Sequence, residues 1–145
     1  MVFIHYGSKQ YNPELFKPIV NRIMRNKPKG GLWVSPLNSQ ISWKDWCLKE
    51  EFPCNIEYYF KLKFYKSAKI YKIDFNEDLL KLPHIYYKET DCYYPDFEEI
   101  MKSFDAIWLT EKGVGKTSSI LNSYNLYGWD CESVLIMNKN SFYTI

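Results

Sequence analysis

Histidine is scarce in this chain: His5 and His84 are the only two. The four cysteines, Cys47, Cys54, Cys92 and Cys131, are scattered and form no C-x-x-C pair. So few imidazole and thiolate ligands at no recognisable spacing argue against a zinc site, and no metal is expected. The chain also lacks a positively charged leader followed by a long apolar stretch, so the thiols are expected free and the protein cytoplasmic. No apolar run approaches the length of a membrane span, and no membrane partner is expected. Charge of one sign is missing as well. Lys and Arg number 19 against 17 Asp and Glu, a formal net charge of +2, without a basic run. Electrostatics therefore do not announce nucleic acid, although a local patch remains compatible with it. Internal repeats, low-complexity tracts and linkers are absent.

What is present suits one folded domain over residues 1–145. Hydrophobic residues make up 46% of the chain, enough to fill a core, which argues against disorder. Aromatic residues reach 19%, with Tyr at 13 copies. Tyrosine covers apolar surface while keeping its hydroxyl wet. Such a composition serves an aromatic-rich core or a cleft for planar rings, and composition alone favours the core.

The pattern along the chain predicts an α+β domain with many short antiparallel strands. Val2 to Tyr6 reads as a buried strand. Asn12-Pro13 resembles a helix N-cap followed by proline at the first helical position. Phe16, Ile19, Val20, Ile23 and Met24 recur at helical spacing, predicting a helix to about Asn26 that Pro18 bends. Lys27 to Gly31 reads as a turn and Leu32 to Ser35 as a strand. Ser42-Trp43-Lys44-Asp45 fits a capping box with Asp in place of Glu, opening a helix to about Glu51 that Pro53 ends. Glu57 to Asp74 alternates and breaks at Lys66-Ser67-Ala68, predicting two strands joined by a turn. A short helix is expected over Phe75 to Lys81, a tyrosine-rich loop over His84 to Tyr94, and a helix over Pro95 to Ser103. Ala106 to Leu109 reads as a strand, Glu111 to Thr117 as a glycine-bearing loop, and Ser133 to Met137 as the last strong strand. A final short strand starts at Phe142.

Three segments stand out by their order. His5-Tyr6-Gly7-Ser8 closes the first strand. Gly30-Gly31-Leu32-Trp33-Val34-Ser35 places an aromatic on a strand after paired glycines. Trp129-Asp130-Cys131-Glu132-Ser133 leads into the last strong strand. This order resembles the ADP-ribosyltransferase fold, in particular its His-Tyr-Glu branch, the poly(ADP-ribose) polymerase and diphtheria-toxin group. The resemblance implies two mainly antiparallel sheets around an NAD cleft, with short flanking helices.

It also implies roles. His5 would hold the adenosine-side ribose of NAD by a hydrogen bond, with Gly7 allowing close backbone approach and Ser8 matching the small hydroxyl residue of the family motif. The family runs His-Gly-Ser or His-Gly-Thr, and here Tyr6 intervenes. Trp33 would stand where the family has tyrosine, flanking the nicotinamide, with Ser35 beyond it on the strand. Trp43 or Trp46 would supply the second face of a ring sandwich; core packing and ring stacking suit these two equally. Glu132 would be the catalytic carboxylate, facing the oxocarbenium-like centre left when the nicotinamide bond breaks. Asp130 would orient the acceptor. A lone histidine at a strand end is more often structural, and any late glutamate before a strand would satisfy the last criterion. Order and spacing therefore carry the resemblance.

The activity so implied is transfer of ADP-ribose from NAD to a macromolecular acceptor, protein or nucleic acid, with release of nicotinamide. Small size suggests a bacterial or phage effector or toxin, with an antitoxin as the corresponding partner. Two alternatives stand beside it. One is a non-enzymatic binding or inhibitor protein that grips a partner through aromatics. The other is a nucleotide-binding P-loop using Gly115-Lys116-Thr117. The segment Thr110 to Thr117 has Thr where that motif requires its first Gly. Only 28 residues follow Thr117, few for the strands such a domain needs.

Overall fold

The computed structural model describes all 145 residues. Nine strands and four short α-helices build an α+β architecture around one seven-stranded sheet. The strands are β1 (Phe3–Tyr6), β2 (Leu32–Pro36), β3 (Tyr59–Phe64), β4 (Ile70–Ile73), β5 (His84–Tyr87), β6 (Cys92–Pro95), β7 (Ala106–Leu109), β8 (Ser133–Ile136) and β9 (Phe142–Thr144). The helices are α1 (Trp43–Lys49), α2 (Asn76–Leu80), α3 (Phe97–Ile100) and α4 (Glu111–Thr117). Spatial order in the large sheet is β4-β7-β8-β2-β1-β3-β9. Every neighbouring pair is antiparallel except β4 with β7. Strands β5 and β6 form a separate hairpin. The two mainly antiparallel sheets expected are of very unequal size, a seven-stranded sheet with one parallel pair and a two-stranded hairpin.

Alternation along the strands sorts side chains into two cores, because successive residues point to opposite faces. On one face Phe3, Val34, Phe60, Leu62, Trp108, Val134 and Phe142 pack together. On the other lie Ile73, Leu79, Phe97, Ile100, Ile107, Leu109, Trp129 and Leu135, with Trp33 packed against them. Register confirms the sorting: Trp33 pairs with Leu135, Val34 with Val134, and Trp108 with Val134.

Several local expectations hold. Ser42 caps α1 in a reciprocal box, its Oγ taking the Asp45 N–H while Asp45 Oδ2 takes the Ser42 N–H at 2.9 Å. Strand β7 has the expected ends. Others fail for identifiable reasons. The helix expected from Phe16 to Asn26 is absent; only a 3-10 turn, Pro13–Leu15, forms nearby. Proline at 18 removes a donor, and the neighbouring backbone is spent elsewhere. The Lys17 carbonyl accepts from Gly31 N–H at 2.9 Å, Val20 bridges Lys29, and Met24 turns left-handed at φ 54°. The two strands expected over Glu57 to Asp74 do form, as β3 and β4 joined across a turn, but they sit near opposite ends of the sheet. The tyrosine-rich loop is the β5-β6 hairpin, its rings paired across the strands, Tyr86 on Tyr93 and Tyr87 on Tyr94. Cys47 and Cys54 are joined as a disulfide, leaving Cys92 and Cys131 as the free thiols, which corrects the expectation of four. No helix is long and apolar enough to cross a membrane.

The P-loop expectation also fails. Glu111 to Thr117 is helix α4, not a loop, capped by Thr110, whose Oγ1 accepts from Gly113 N–H. A phosphate nest needs consecutive free backbone N–H groups before a helix. Here both glycines lie inside one. Gly113 is there because α4 presses on β4: a Cβ would sit 2.0 Å from the Ile73 carbonyl oxygen. Thr117 is fully buried and its hydroxyl donates to the Gly113 carbonyl at 2.9 Å, so it offers nothing to a metal or phosphate.

Candidate ligand cleft

Strands β8, β2 and β1 are neighbours in the middle of the sheet, so the three segments singled out above are brought side by side. Beside them opens a cavity of about 280 Å³. Its floor is made by Ile4 and Ser35, which pair across β1 and β2, and by Ser133 at the start of β8. Four aromatic side chains, Tyr6, Trp33, Trp43 and Trp129, form its walls, and Lys27 and Asp130 are its exposed charges.

Each wall is held by its own device. Trp33 is the second residue of β2, two positions after Gly31, and the turn before the strand depends on glycine. Gly30 and Gly31 take φ of 84° and 72°, and a Cβ on Gly30 would lie 2.1 Å from the Pro18 carbonyl oxygen. The Trp129 ring meets Trp33 edge-on at 4.8 Å, and its Nε1 donates to the Asn26 carbonyl at 2.8 Å. Trp43 is the first residue of α1. Its N–H donates to Ser35 Oγ, and that hydroxyl donates in turn to the Glu132 carbonyl at 3.0 Å. One serine thus ties β2, α1 and the chain entering β8 together. Behind Trp43, Trp46 stacks at 5.1 Å and 15°, and Phe52 packs on both.

His5 occupies the point where β1 and β2 part, since their pairing stops at Ile4 and Ser35. Its Nδ1 is 2.8 Å from the Trp33 carbonyl oxygen. A carbonyl only accepts, so Nδ1 carries the proton and, in the neutral ring, Nε2 is the acceptor. The ring stacks on Phe60 at 5.0 Å, which fixes its plane. No protein donor reaches Nε2, and it is not sealed from solvent.

Of the residues expected at a site, His5, Trp33, Ser35, Trp43 and Asp130 line this one cavity. Gly7, Ser8 and Trp46 do not. Gly7 N–H is spent on the Tyr58 carbonyl at 2.8 Å and so is not free to donate to a ligand, and Trp46 backs the wall instead of forming it. Ser35 is a structural tie, its hydroxyl already engaged on both sides.

Glu132 is the main departure. It stands one residue before β8, and its Oε2 accepts from Trp108 Nε1 at 2.8 Å, within the core on the opposite face of the sheet. It is 7% exposed and does not line the cavity. The carboxylate expected at the centre of the chemistry is therefore turned away from the aromatic walls.

The structure adds residues that the sequence reading did not name as ligand contacts, among them Tyr6, Lys27, Trp129 and Cys131. Burial pushes the Tyr6 hydroxyl above its ordinary range, with Asp45 and Tyr59 adding to the effect. Cys131 is buried, and desolvation raises its thiol although its contact with Ser133 opposes this, so it rests as a neutral thiol. Tyr6, Trp129 and Cys131 lie within the segments singled out by their order, beside His5 and Asp130; Lys27 comes from the turn before β2. No group of three or more His, Cys, Asp or Glu side chains gathers in a metal-holding arrangement. No protein-family model, curated protein or solved structure matches the chain.

Proposed function

We propose that the chain is an ADP-ribosyltransferase-like protein that binds NAD in the His5–Trp33 cleft and transfers its ADP-ribose to a macromolecular acceptor. The carrying observation is convergence. Residues 5, 33, 43 and 130, remote in sequence, line one small cavity walled by aromatic rings. About 280 Å³ is at the small end of ligand pockets and suits a planar ring with its sugar. The nicotinamide would lie between the tryptophan faces, and a ribose hydroxyl would donate to His5 Nε2. The remaining part of the dinucleotide would extend past Lys27 toward solvent, where a cation suits a diphosphate.

The chemistry asked of such a site is cleavage of the bond between the ribose C1′ and the nicotinamide nitrogen. The bonding pair leaves with nicotinamide, and a nucleophile on the acceptor attacks C1′ and gives up its proton. Rigid walls supply orientation, and a carboxylate near the ribose stabilises the positive charge that develops there.

A second reading has its own observation in favour. Because Glu132 is committed to Trp108 across the sheet, the same cleft also suits a protein that binds a planar ligand without turning it over.

One experiment separates the two. Purified protein is titrated with NAD by calorimetry, then incubated with NAD and cell lysate while nicotinamide release is followed. Binding with release supports transfer, and binding without release supports the second reading. Absence of binding overturns both as applied to NAD.

A further inference from the structure

Three carboxylates lie around the cleft, and the fold disposes of two of them. Asp45 is consumed by the cap of α1, its Oδ2 receiving both the Ser42 N–H and the Ser42 hydroxyl, at 2.9 and 2.7 Å. Glu132 is turned through the sheet to Trp108. Asp130 alone lines the cavity, and it has neither a hydrogen bond nor an ion pair within the protein. Its neighbours are firmly held. On one side Trp129 is buried, bonded to Asn26 and packed on Trp33; on the other, Glu132 N–H donates to the Ile41 carbonyl at 2.9 Å. Alternation does not govern Asp130, because regular strand begins only at Ser133. The loop thus presents an unpartnered carboxylate beside the tryptophan walls from a backbone pinned at both ends.

We infer that Asp130, not Glu132, is the carboxylate that faces the substrate ribose in this cleft. The inference rests on the NAD reading above. Its carboxylate meets the positive charge at C1′ as the bond to nicotinamide breaks. When water is the acceptor, the proton lost by the attacking water passes to Asp130 or to solvent, and the products are ADP-ribose and nicotinamide. A carboxylate with no competing donor is free to turn toward substrate, whereas one that already accepts an indole N–H is held in place by it.

The test measures NAD affinity and nicotinamide release for the wild type, Asp130→Asn, Asp130→Glu and Glu132→Gln, with thermal unfolding as the control for folding. Asp130→Asn is expected to lower turnover by about a hundredfold or more while NAD affinity changes by less than about threefold. Asp130→Glu should restore part of the turnover. Glu132→Gln should keep turnover within about threefold in the folded protein. Near-normal release by Asp130→Asn overturns the inference, as does loss of release by folded Glu132→Gln alone. Binding without release in the wild type also overturns it while leaving the binding reading intact, and no binding at all removes the NAD reading itself.

Discussion

The two faces of the central sheet hold the same ingredients, tryptophan and an acidic side chain, and put them to opposite uses. On one face Trp108 is 9% exposed, packs edge-on against Phe3 at 5.4 Å and gives its indole proton to Glu132. Carboxylate and donor satisfy each other, and that face is closed. On the other, Trp33 and Trp43 stay half-exposed around a cavity, and Asp130 finds no partner. Residue type alone does not decide which carboxylate is left for a ligand: Glu132 has the Trp108 indole N–H as a donor, and Asp130 has none within the protein.

The comparison breaks most sharply at Trp108. Trp108→Ala removes a large core side chain and strands the Glu132 carboxylate without its donor. A loss of about 3–5 kcal/mol is expected in urea unfolding. The half-exposed Trp43→Ala should lose clearly less, about 1–2 kcal/mol of aromatic packing with Trp46 and Phe52. Equal losses at the two positions would mean the faces do not differ as described.

Helix α4 offers a paired test under the face that carries the cleft. Gly113→Ala drives a methyl group into the Ile73 carbonyl and should destabilise by about 2–3 kcal/mol. Gly115 has nothing within 4 Å of an added Cβ, so Gly115→Ala should stabilise by about 0.5–1 kcal/mol through helix propensity. Opposite signs in thermal denaturation would check both. A phosphate loop would instead be damaged by either change, with loss of ATP binding.

Ligand contacts come next in size. His5→Ala and Trp43→Ala are each expected to weaken NAD binding about tenfold, near 1.4 kcal/mol, by fluorescence titration. Trp108→Phe, on the closed face, should leave that affinity unchanged. If all three behave alike, the cleft does not bind through these walls.

The smallest effect concerns the two free thiols. Burial raises the Cys131 thiol above its ordinary value, so a smaller fraction is thiolate at any pH below that point. Alkylation by iodoacetamide should be slower at the buried Cys131 than at the more accessible Cys92 between about pH 7 and pH 9. Saturating NAD should slow Cys131 further and leave Cys92 alone. Peptide mass spectrometry after timed quenching reads both.

Local chemistry was legible in the residues themselves. Ser42 and Asp45 announce a helix start because capping needs only side chains and backbone three residues apart. Gly30-Gly31 announces the turn before Trp33 because left-handed backbone favours glycine. His5, Trp33, Trp43 and Asp130 line one cavity, while Gly7, Ser8, Trp46 and Glu132, singled out with them, do not. Non-local pairing decided the rest. The apolar spacing from Phe16 to Met24 has the period of a helix, yet Lys17 and Val20 gave their backbone groups to Gly31 and Lys29. The glycines of α4 resemble a phosphate loop until the contact with Ile73 explains one of them. Whether Glu132 or Asp130 faced the cleft depended on where β8 begins and which neighbour offered a donor. Neither is written in the spacing of two acidic residues, because alternation along a strand would turn positions 130 and 132 to the same face; they part only because regular strand begins at Ser133 and Trp108 offers Glu132 a donor across the sheet.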